Sequence, residues 1–188
     1  MRKLRFSMLS AGRGSNFDAI MQHIAAKELN AMCISLIAPV GSKVIDIADK
    51  YGVPVRLIEG DNLFSILQSE NPDLIVMSGY MRKIPENILE LFENKMINIH
   101  PALLPSFGGK GCYGIHVHEK VLEAGVKITG VTVHFVNKDY DSGKIIAQSA
   151  VPVLPDDTSE SLARRVLQEE HNTYWRVIEE FTKLPFDA

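Results

Sequence analysis

Residues 4–16 read LRFSMLSAGRGSN, and this stretch decides the fold because an apolar run passes through a glycine-containing turn into a helical pattern. The run at 4–9 predicts a strand. AGRGSN at 11–16 ends that strand and opens a helix, which Ser15 or Asn16 can cap. A strand, a tight turn and a helix in this order are typical of a sheet built from parallel βαβ units.

The same alternation continues along the chain. Near-continuous apolar strands separated by helices favour a parallel sheet that is covered on both faces. The second half differs, because two strands there flank the turn KDYDSGK and suggest an antiparallel edge. We therefore predict an α/β fold: a doubly wound, mostly parallel sheet of about seven strands with an antiparallel C-terminal edge. The predicted strands are 4–9, 32–38, 53–58, 74–78, 96–100, 129–136 and 145–153, and the predicted helices are 15–28, 43–51, 62–70, 85–94, 115–125 and 158–182.

Composition sets broad limits on partners and location. The 188 residues fit a single domain over 1–188, with 46% hydrophobic and 23% charged residues. The net charge of −3 and the lack of a basic block argue against nucleic acid or a membrane as partner. No apolar run is long enough for a transmembrane helix, and MRKLRFSMLS predicts a first strand rather than a signal peptide. Cys33 and Cys112 form neither a disulfide framework nor a zinc set, so we expect a reducing cytoplasm.

The turn at 11–16 is a candidate anion site. Free N–H groups at a helix N-terminus, aided by the helix dipole, bind phosphate readily. The pattern is neither GxGxxG nor GxxxxGK[ST], so a dinucleotide or P-loop site is not indicated. A phosphomonoester on a small substrate is the functional interpretation, and a well-capped turn is the structural alternative.

INIHPALLPSFGG at 97–109 places two polar side chains at a strand end. Asn98 and His100 share one face, and Pro101 ends the ladder. Ligands of open α/β sheets bind at the carboxyl ends of strands. An amide beside an imidazole can both donate to a developing oxyanion. Asp141 in DYDSGK is either a plain turn residue or a carboxylate that raises the pKa of His100, and spacing alone does not bring the two together.

The remaining histidines have simpler interpretations. His116 and His118 lack the partners of a zinc site and fit a polar helix start, although His118 could line a pocket. His134 alternates with apolar neighbours in VTVHFV and is expected to be a sheet residue.

Six stretches together resemble the folate-dependent formyltransferases, and among them the phosphoribosylglycinamide formyltransferases: AGRGSN, SGYMRKIP, NIHPALLPSF, GVTVHFV, DYDSGKII and QEEH. The resemblance implies transfer of a formyl group from 10-formyltetrahydrofolate, a co-substrate, to the amine of 5-phosphoribosylglycinamide, with no metal. It implies small-molecule substrates and leaves a homodimer open. It also implies a nucleotide-phosphate half at 1–100 and a folate and catalytic half at 101–188.

The resemblance assigns roles residue by residue. Asn98, His100 and Asp141 match the catalytic trio. The residues matching the ribonucleotide site are Gly14, Ser15, Asn16, Gln168, Glu169 and Glu170. The residues matching the folate pocket are Met81, Arg82, Lys83, Ile84, Asn98, Asn137, Lys138, Asp139, Tyr140 and Asp141.

Three segments depart from the family pattern. LIAPVGSKVIDIA predicts a rebuilt loop after the second strand. The segment between Ile58 and Pro72 is shorter than usual and lacks a folate-contacting basic residue. The stretch SFGGKGCYG is longer than usual.

The same catalytic trio is compatible with other functions. Hydrolysis of 10-formyltetrahydrofolate is one alternative, although such hydrolases usually carry an N-terminal domain. A tRNA formyltransferase is disfavoured by the absence of a basic surface excess. A catalytically silent phosphate-binding module is the alternative outside enzymes.

Overall fold

The computed structural model describes residues 2–184, and within them the chain forms seven strands and six helices. All the elements predicted from the sequence are present. In chain order they are β1 (Leu4–Ser10), α1 (Ser15–Ala25), β2 (Ala31–Pro39), α2 (Val44–Tyr51), β3 (Val55–Ile58), α3 (Leu63–Glu70), β4 (Leu74–Ser78), α4 (Glu86–Leu91), β5 (Met96–His100), α5 (Ile115–Glu123), β6 (Ile128–Phe135), β7 (Ile145–Pro152) and α6 (Ser159–Thr182).

The strands form one sheet in the order β3-β2-β1-β4-β5-β6-β7. Strands β1 to β5 pair in parallel, while β6 is antiparallel to both β5 and β7. The predicted mostly parallel sheet with an antiparallel C-terminal edge is therefore confirmed. Because β1 lies between β2 and β4, the chain changes direction across the sheet there, which opens a crevice at the strand ends.

Element ends differ from the sequence prediction where the backbone leaves helical or strand geometry. Helix α1 ends at Ala25 rather than 28, and Lys27 has a left-handed φ of 62°. Helix α4 is shorter than 85–94, because Phe92 is no longer helical and Asn94 has a φ of 58°. Strand β3 begins after Pro54, whose ring nitrogen has no hydrogen to donate to the ladder.

Apolar clusters cover the two faces of the sheet. Leu74 and Val76 point into one cluster, and their neighbours Ile75 and Met77 point into the other, as the two-residue period of a strand requires. Helix α6 packs on the first face through Tyr174, which is fully buried. Its hydroxyl donates to the Met77 carbonyl at 2.7 Å and accepts from the Met77 N–H at 3.1 Å, so α6 is fixed to β4. In the described part of the chain no helix is long and apolar enough to cross a membrane.

Candidate active site

A cavity of about 720 Å³ opens at the carboxyl ends of the central strands. It lies where β1, β4 and β5 give way to their loops, as expected for an open α/β sheet. Its walls come from α1, the loops after β4 and β5, the β6–β7 turn and one face of α6. The lining residues are Asn16, Met77–Ile84, Asn98–Pro101, Gly109–Gly114, His118, His134, Val136–Asp141, Ala163, Val166, Leu167 and Glu170.

Strand β5 positions two polar side chains on the cavity wall. Asn98 and His100 are two positions apart on the strand and therefore share a face, as the sequence predicted. In the antiparallel ladder, Asn98 is opposite His134 and His100 is opposite Thr132 on β6. His100 is buried, with only 4% of its surface exposed.

Both ring nitrogens of His100 face acceptors. Its Nε2 donates to the carbonyl oxygen of Phe107 at 2.8 Å, and its Nδ1 lies 3.4 Å from Oδ2 of Asp141. Burial lowers the pKa of His100, and this effect outweighs the opposing influences of Asp141 and the Phe107 carbonyl. The imidazole is therefore neutral at pH 7, with a carboxylate placed to stabilise the ring once it takes up a proton.

The turn between β6 and β7 brings Asp141 to His100, which sequence spacing could not do. Asp141 has a left-handed φ of 52°, a conformation that Asp tolerates better than most residues. A Cβ on Gly143 would lie 1.7 Å from the carbonyl oxygen of Phe135, so the turn requires glycine there. Burial opposes ionisation of Asp141, but contacts with His134, His100 and the Gly109 N–H outweigh it and lower its pKa.

His134 joins this cluster, although the sequence suggested only a sheet residue. Its Nε2 lies 3.3 Å from Nδ2 of Asn98 and 3.7 Å from Oδ1 of Asp141. We call Asn98, His100, His134 and Asp141 the polar cluster. The sequence did contain one indication that His134 is near the site, because it lies just before the loop that holds Asp141. The register that places it opposite Asn98 is a long-range property and is not visible in the sequence.

A second polar contact joins the two ends of the chain. The Asn16 amide donates to Oε2 of Glu170 at 2.9 Å and to Oγ of Ser78 at 3.1 Å. Burial raises the pKa of Glu170 to about 7, and the hydrogen bond from Asn16 only partly opposes this. Oδ1 of Asn16 is buried and has no partner among the described residues. The phosphate-turn candidate and the last helix therefore share one wall of the cavity.

The structure brings only part of the predicted ribonucleotide set to the cavity. Asn16 and Glu170 line it, and Gly14 and Ser15 immediately precede Asn16 at the start of α1. Gln168 and Glu169 do not line it. Glu169 instead accepts from Ser149 Oγ on β7, because successive residues of a helix point in different directions. Leu167, one turn before Glu170, occupies the cavity face instead.

Every residue of the predicted folate set lines the cavity. The Tyr140 hydroxyl donates to the Met81 carbonyl at 3.3 Å, and Nζ of Lys83 lies 5.6 Å from the Tyr140 ring centre. Among residues 2–184, Arg82 and Lys138 have no ion-pair partner. Apolar walls with unpaired cations at the rim suit a flat ring system that ends in carboxylates.

The three segments predicted to depart from the family pattern all lie near this region. Gly14 packs against Val44 at the start of α2, so the loop after β2 borders the phosphate-turn candidate. The short connection after β3 borders a second cavity of about 380 Å³, which Arg82 and Lys83 also line. The long loop supplies Lys110 and the rest of 109–114 to the main cavity.

The two histidines of α5 have different surroundings. His118 lines the cavity and is 4% exposed, and its Nδ1 has no hydrogen-bond partner among the described residues. His116 is exposed and pairs with Glu119 at 2.9 Å. Across the described residues, no cluster of three or more His, Cys, Asp or Glu side chains could hold a metal ion.

At the strand ends of this α/β sheet, an amide, an imidazole and a carboxylate can together stabilise an oxyanion and move a proton. The family model described as formyl transferase matches residues 4–178, and the chain belongs to that family. It is 38% identical over 189 residues to the chloroplastic phosphoribosylglycinamide formyltransferase of Arabidopsis thaliana, covering 94% of this chain and 65% of that protein. It is 33% identical over 191 residues to the phosphoribosylglycinamide formyltransferase of Bacillus subtilis (strain 168), covering 96% of this chain and 95% of that protein.

Solved structures of similar proteins share the fold of this chain. The crystal structure of glycinamide ribonucleotide transformylase 1 from Symbiobacterium toebii superposes with a TM-score of 0.88 at 34% identity, covering 97% of this chain and 89% of that one. The chain spans just under two thirds of the chloroplastic relatives from Arabidopsis thaliana and Vigna unguiculata, at 65% and 61% of their lengths.

Proposed function

We propose that this protein transfers the formyl group of 10-formyltetrahydrofolate to the amine of 5-phosphoribosylglycinamide, in de novo purine biosynthesis. The products are the formylated ribonucleotide and tetrahydrofolate. The observation that carries this proposal is the convergence of Asn98, His100 and Asp141 on one wall of a large cavity. The similar proteins from Arabidopsis thaliana and Bacillus subtilis are phosphoribosylglycinamide formyltransferases, which supports the same activity.

The two substrates would occupy different parts of the cavity. The ribonucleotide phosphate fits the N-terminus of α1 at Gly14, Ser15 and Asn16, where free N–H groups and the helix dipole favour an anion. Glu170 beside Asn16 would accept from ribose hydroxyls. The folate fits the wall formed by Met81–Ile84 and 137–141, with its carboxylates near Arg82. When bound, it supplies the electrophilic formyl carbon.

His100 would move the proton that formyl transfer displaces. An amine that attacks a carbonyl carbon must lose a proton, and the departing nitrogen must gain one. With Nδ1–H donated to Asp141 and Nε2 released from the Phe107 carbonyl, a neutral His100 accepts the first proton at Nε2 and returns it to the departing nitrogen, and Asp141 stabilises the imidazolium in between. The low pKa of the buried ring keeps it ready to accept at neutral pH.

Asn98 would stabilise the negative charge that develops on the formyl oxygen. Its amide donates from a fixed position on β5, and a preorganised donor of this kind lowers a barrier by roughly 3 kcal/mol. The Nε2 proton of His100 is a second donor. In the structure it is held by the Phe107 carbonyl, so its use on a substrate requires that hydrogen bond to break.

A reducing compartment such as the cytoplasm suits the chain. Cys33 and Cys112 are both free thiols, and Cys33 is buried in the core.

The test is release of tetrahydrofolate from 10-formyltetrahydrofolate, followed with and without 5-phosphoribosylglycinamide. We expect release only when the amine is present, and loss of that release in Asn98→Ala and His100→Ala. His116→Ala, on the exposed face of α5, is the matched histidine control and should keep full activity.

Each other outcome rejects the transferase. Equal release without the amine would identify a hydrolase, in which water replaces the ribonucleotide. No release under either condition, from a protein that still binds the ribonucleotide, would identify a silent binding module.

A further inference from the structure

The tautomer of His134 is set by its own strand. Nδ1 lies 2.8 Å from the carbonyl oxygen of Phe135. A carbonyl oxygen can only accept, so Nδ1 carries the ring proton. In the neutral ring Nε2 then has a free lone pair and acts as an acceptor. This nitrogen points at Asn98 on the neighbouring strand.

An acceptor at that position decides which way the Asn98 amide faces. Nδ2 of Asn98 lies 3.3 Å from Nε2 of His134, and only the amide NH₂ can donate to it. With the amide reversed, Oδ1 would meet the lone pair of Nε2, which is repulsive. One hydrogen of the NH₂ therefore points to His134, and the second remains available to the cavity.

We propose that His134 is a positioning residue, which holds the Asn98 amide with its NH₂ group toward the reacting centre. The inference rests on the proposed function and deepens it. A reversed amide would present an oxygen to the developing oxyanion and raise the barrier instead of lowering it. His134 acts through Asn98 and needs no contact with substrate.

The surroundings of His134 make Asn98 its hydrogen-bond partner at Nε2. The ring is 2% exposed, and the Asp141 carboxylate stands 3.7 Å from Nε2, farther than the Asn98 amide at 3.3 Å. The other titratable group of the cluster, His100, uses its nitrogens on Phe107 and Asp141. Asn98 is therefore the nearest hydrogen-bond partner of Nε2 in the polar cluster.

A double-mutant cycle tests the inference. His134→Phe keeps a ring but removes the acceptor, and should lower kcat about 10- to 100-fold, less than loss of the donor itself. The KM for each substrate should stay within about twofold, since the lost interaction acts on the transition state rather than on the bound substrates. In the Asn98→Ala background, His134→Phe should cause no further loss, because its effect operates through the absent amide. Additive losses, or a folded His134→Phe with unchanged kcat, would overturn the inference.

Two further variants separate positioning from packing. His134→Gln restores an acceptor, Oε1, and should recover part of the kcat lost in His134→Phe. A Gln variant no faster than the Phe variant would contradict the inference. His116→Phe is the control for a histidine-to-phenylalanine change and should leave kcat unchanged, because His116 lies on the exposed face of α5.

Nitrogen-15 shifts of the His134 ring in the wild-type protein give a readout that needs no turnover. In the neutral ring, Nδ1 should appear protonated and Nε2 unprotonated. A protonated Nε2 would overturn the inference, even if the variants fail to fold. Should the wild-type protein show no formyl transfer, the proposed function fails, while the ring tautomer on which the amide orientation depends is still decided by these spectra.

Discussion

Replacing Glu170 by Gln should stabilise the protein at alkaline pH while weakening ribonucleotide binding. Burial raises the pKa of this carboxyl from 4.5 to about 7. Between these values the unfolded chain has released the proton and the folded chain has kept it, so stability falls as pH rises. Above them, the buried charge costs about 3 kcal/mol, at about 1.4 kcal/mol for each tenfold change in proton affinity. Gln removes this cost and still accepts from Asn16.

The assay is urea unfolding of wild type and Glu170→Gln at two pH values. The variant should gain up to about 3 kcal/mol at about pH 8, and under about 1 kcal/mol at about pH 5. Glu169→Gln, one residue earlier and partly exposed outside the cavity, is the matched control and should show no comparable gain. A Glu170→Gln variant that is less stable than wild type at about pH 8, or a gain independent of pH, would refute the reasoning.

Three other predictions concern the proton path and the frame of the site. As the pH is lowered, the kcat of the wild type should begin to fall only below the pH range in which an ordinary histidine titrates. The reason is that burial lowers the pKa of His100 and that its neutral form is required. A midpoint above that range in a pH–rate profile would contradict this prediction. Tyr174→Phe should destabilise the protein by about 1–3 kcal/mol in urea unfolding, because the Met77 backbone loses a buried partner. Gly143→Ala should reduce both folding yield and kcat, because its Cβ would collide with the Phe135 carbonyl; wild-type values for both would show that the turn adapts.

The sheet could be predicted from local sequence because each strand is a short apolar run ending in a turn. Strand β5 is the clearest case, since Pro101 and the apolar pattern fix both of its ends. The predicted ends of helices were wrong where a single residue adopts a left-handed backbone angle, as Lys27 does after α1. Such angles depend on tertiary packing and leave little trace in composition.

The site was predictable in part. Asn98 and His100 followed from strand periodicity, and Asp141 from the resemblance to formyltransferases. The place of His134 beside Asn98 was missed because it depends on the register between β5 and β6, which forms only in the folded sheet. Gln168 and Glu169 were predicted from the resemblance, and they do not line the cavity because adjacent residues of a helix face different directions.

The hydrogen bond between Asn16 and Glu170 spans 154 positions of the chain. During synthesis the first strand and its turn leave the ribosome long before the last helix, and domains acquire their contacts as the chain emerges. The cavity wall formed by these two residues can therefore close only after α6 has been translated and docked through Tyr174. Nascent chains that stop short of α6 would display the phosphate-turn candidate without its partner Glu170, so ligand binding at this wall should report that α6 has been translated and docked.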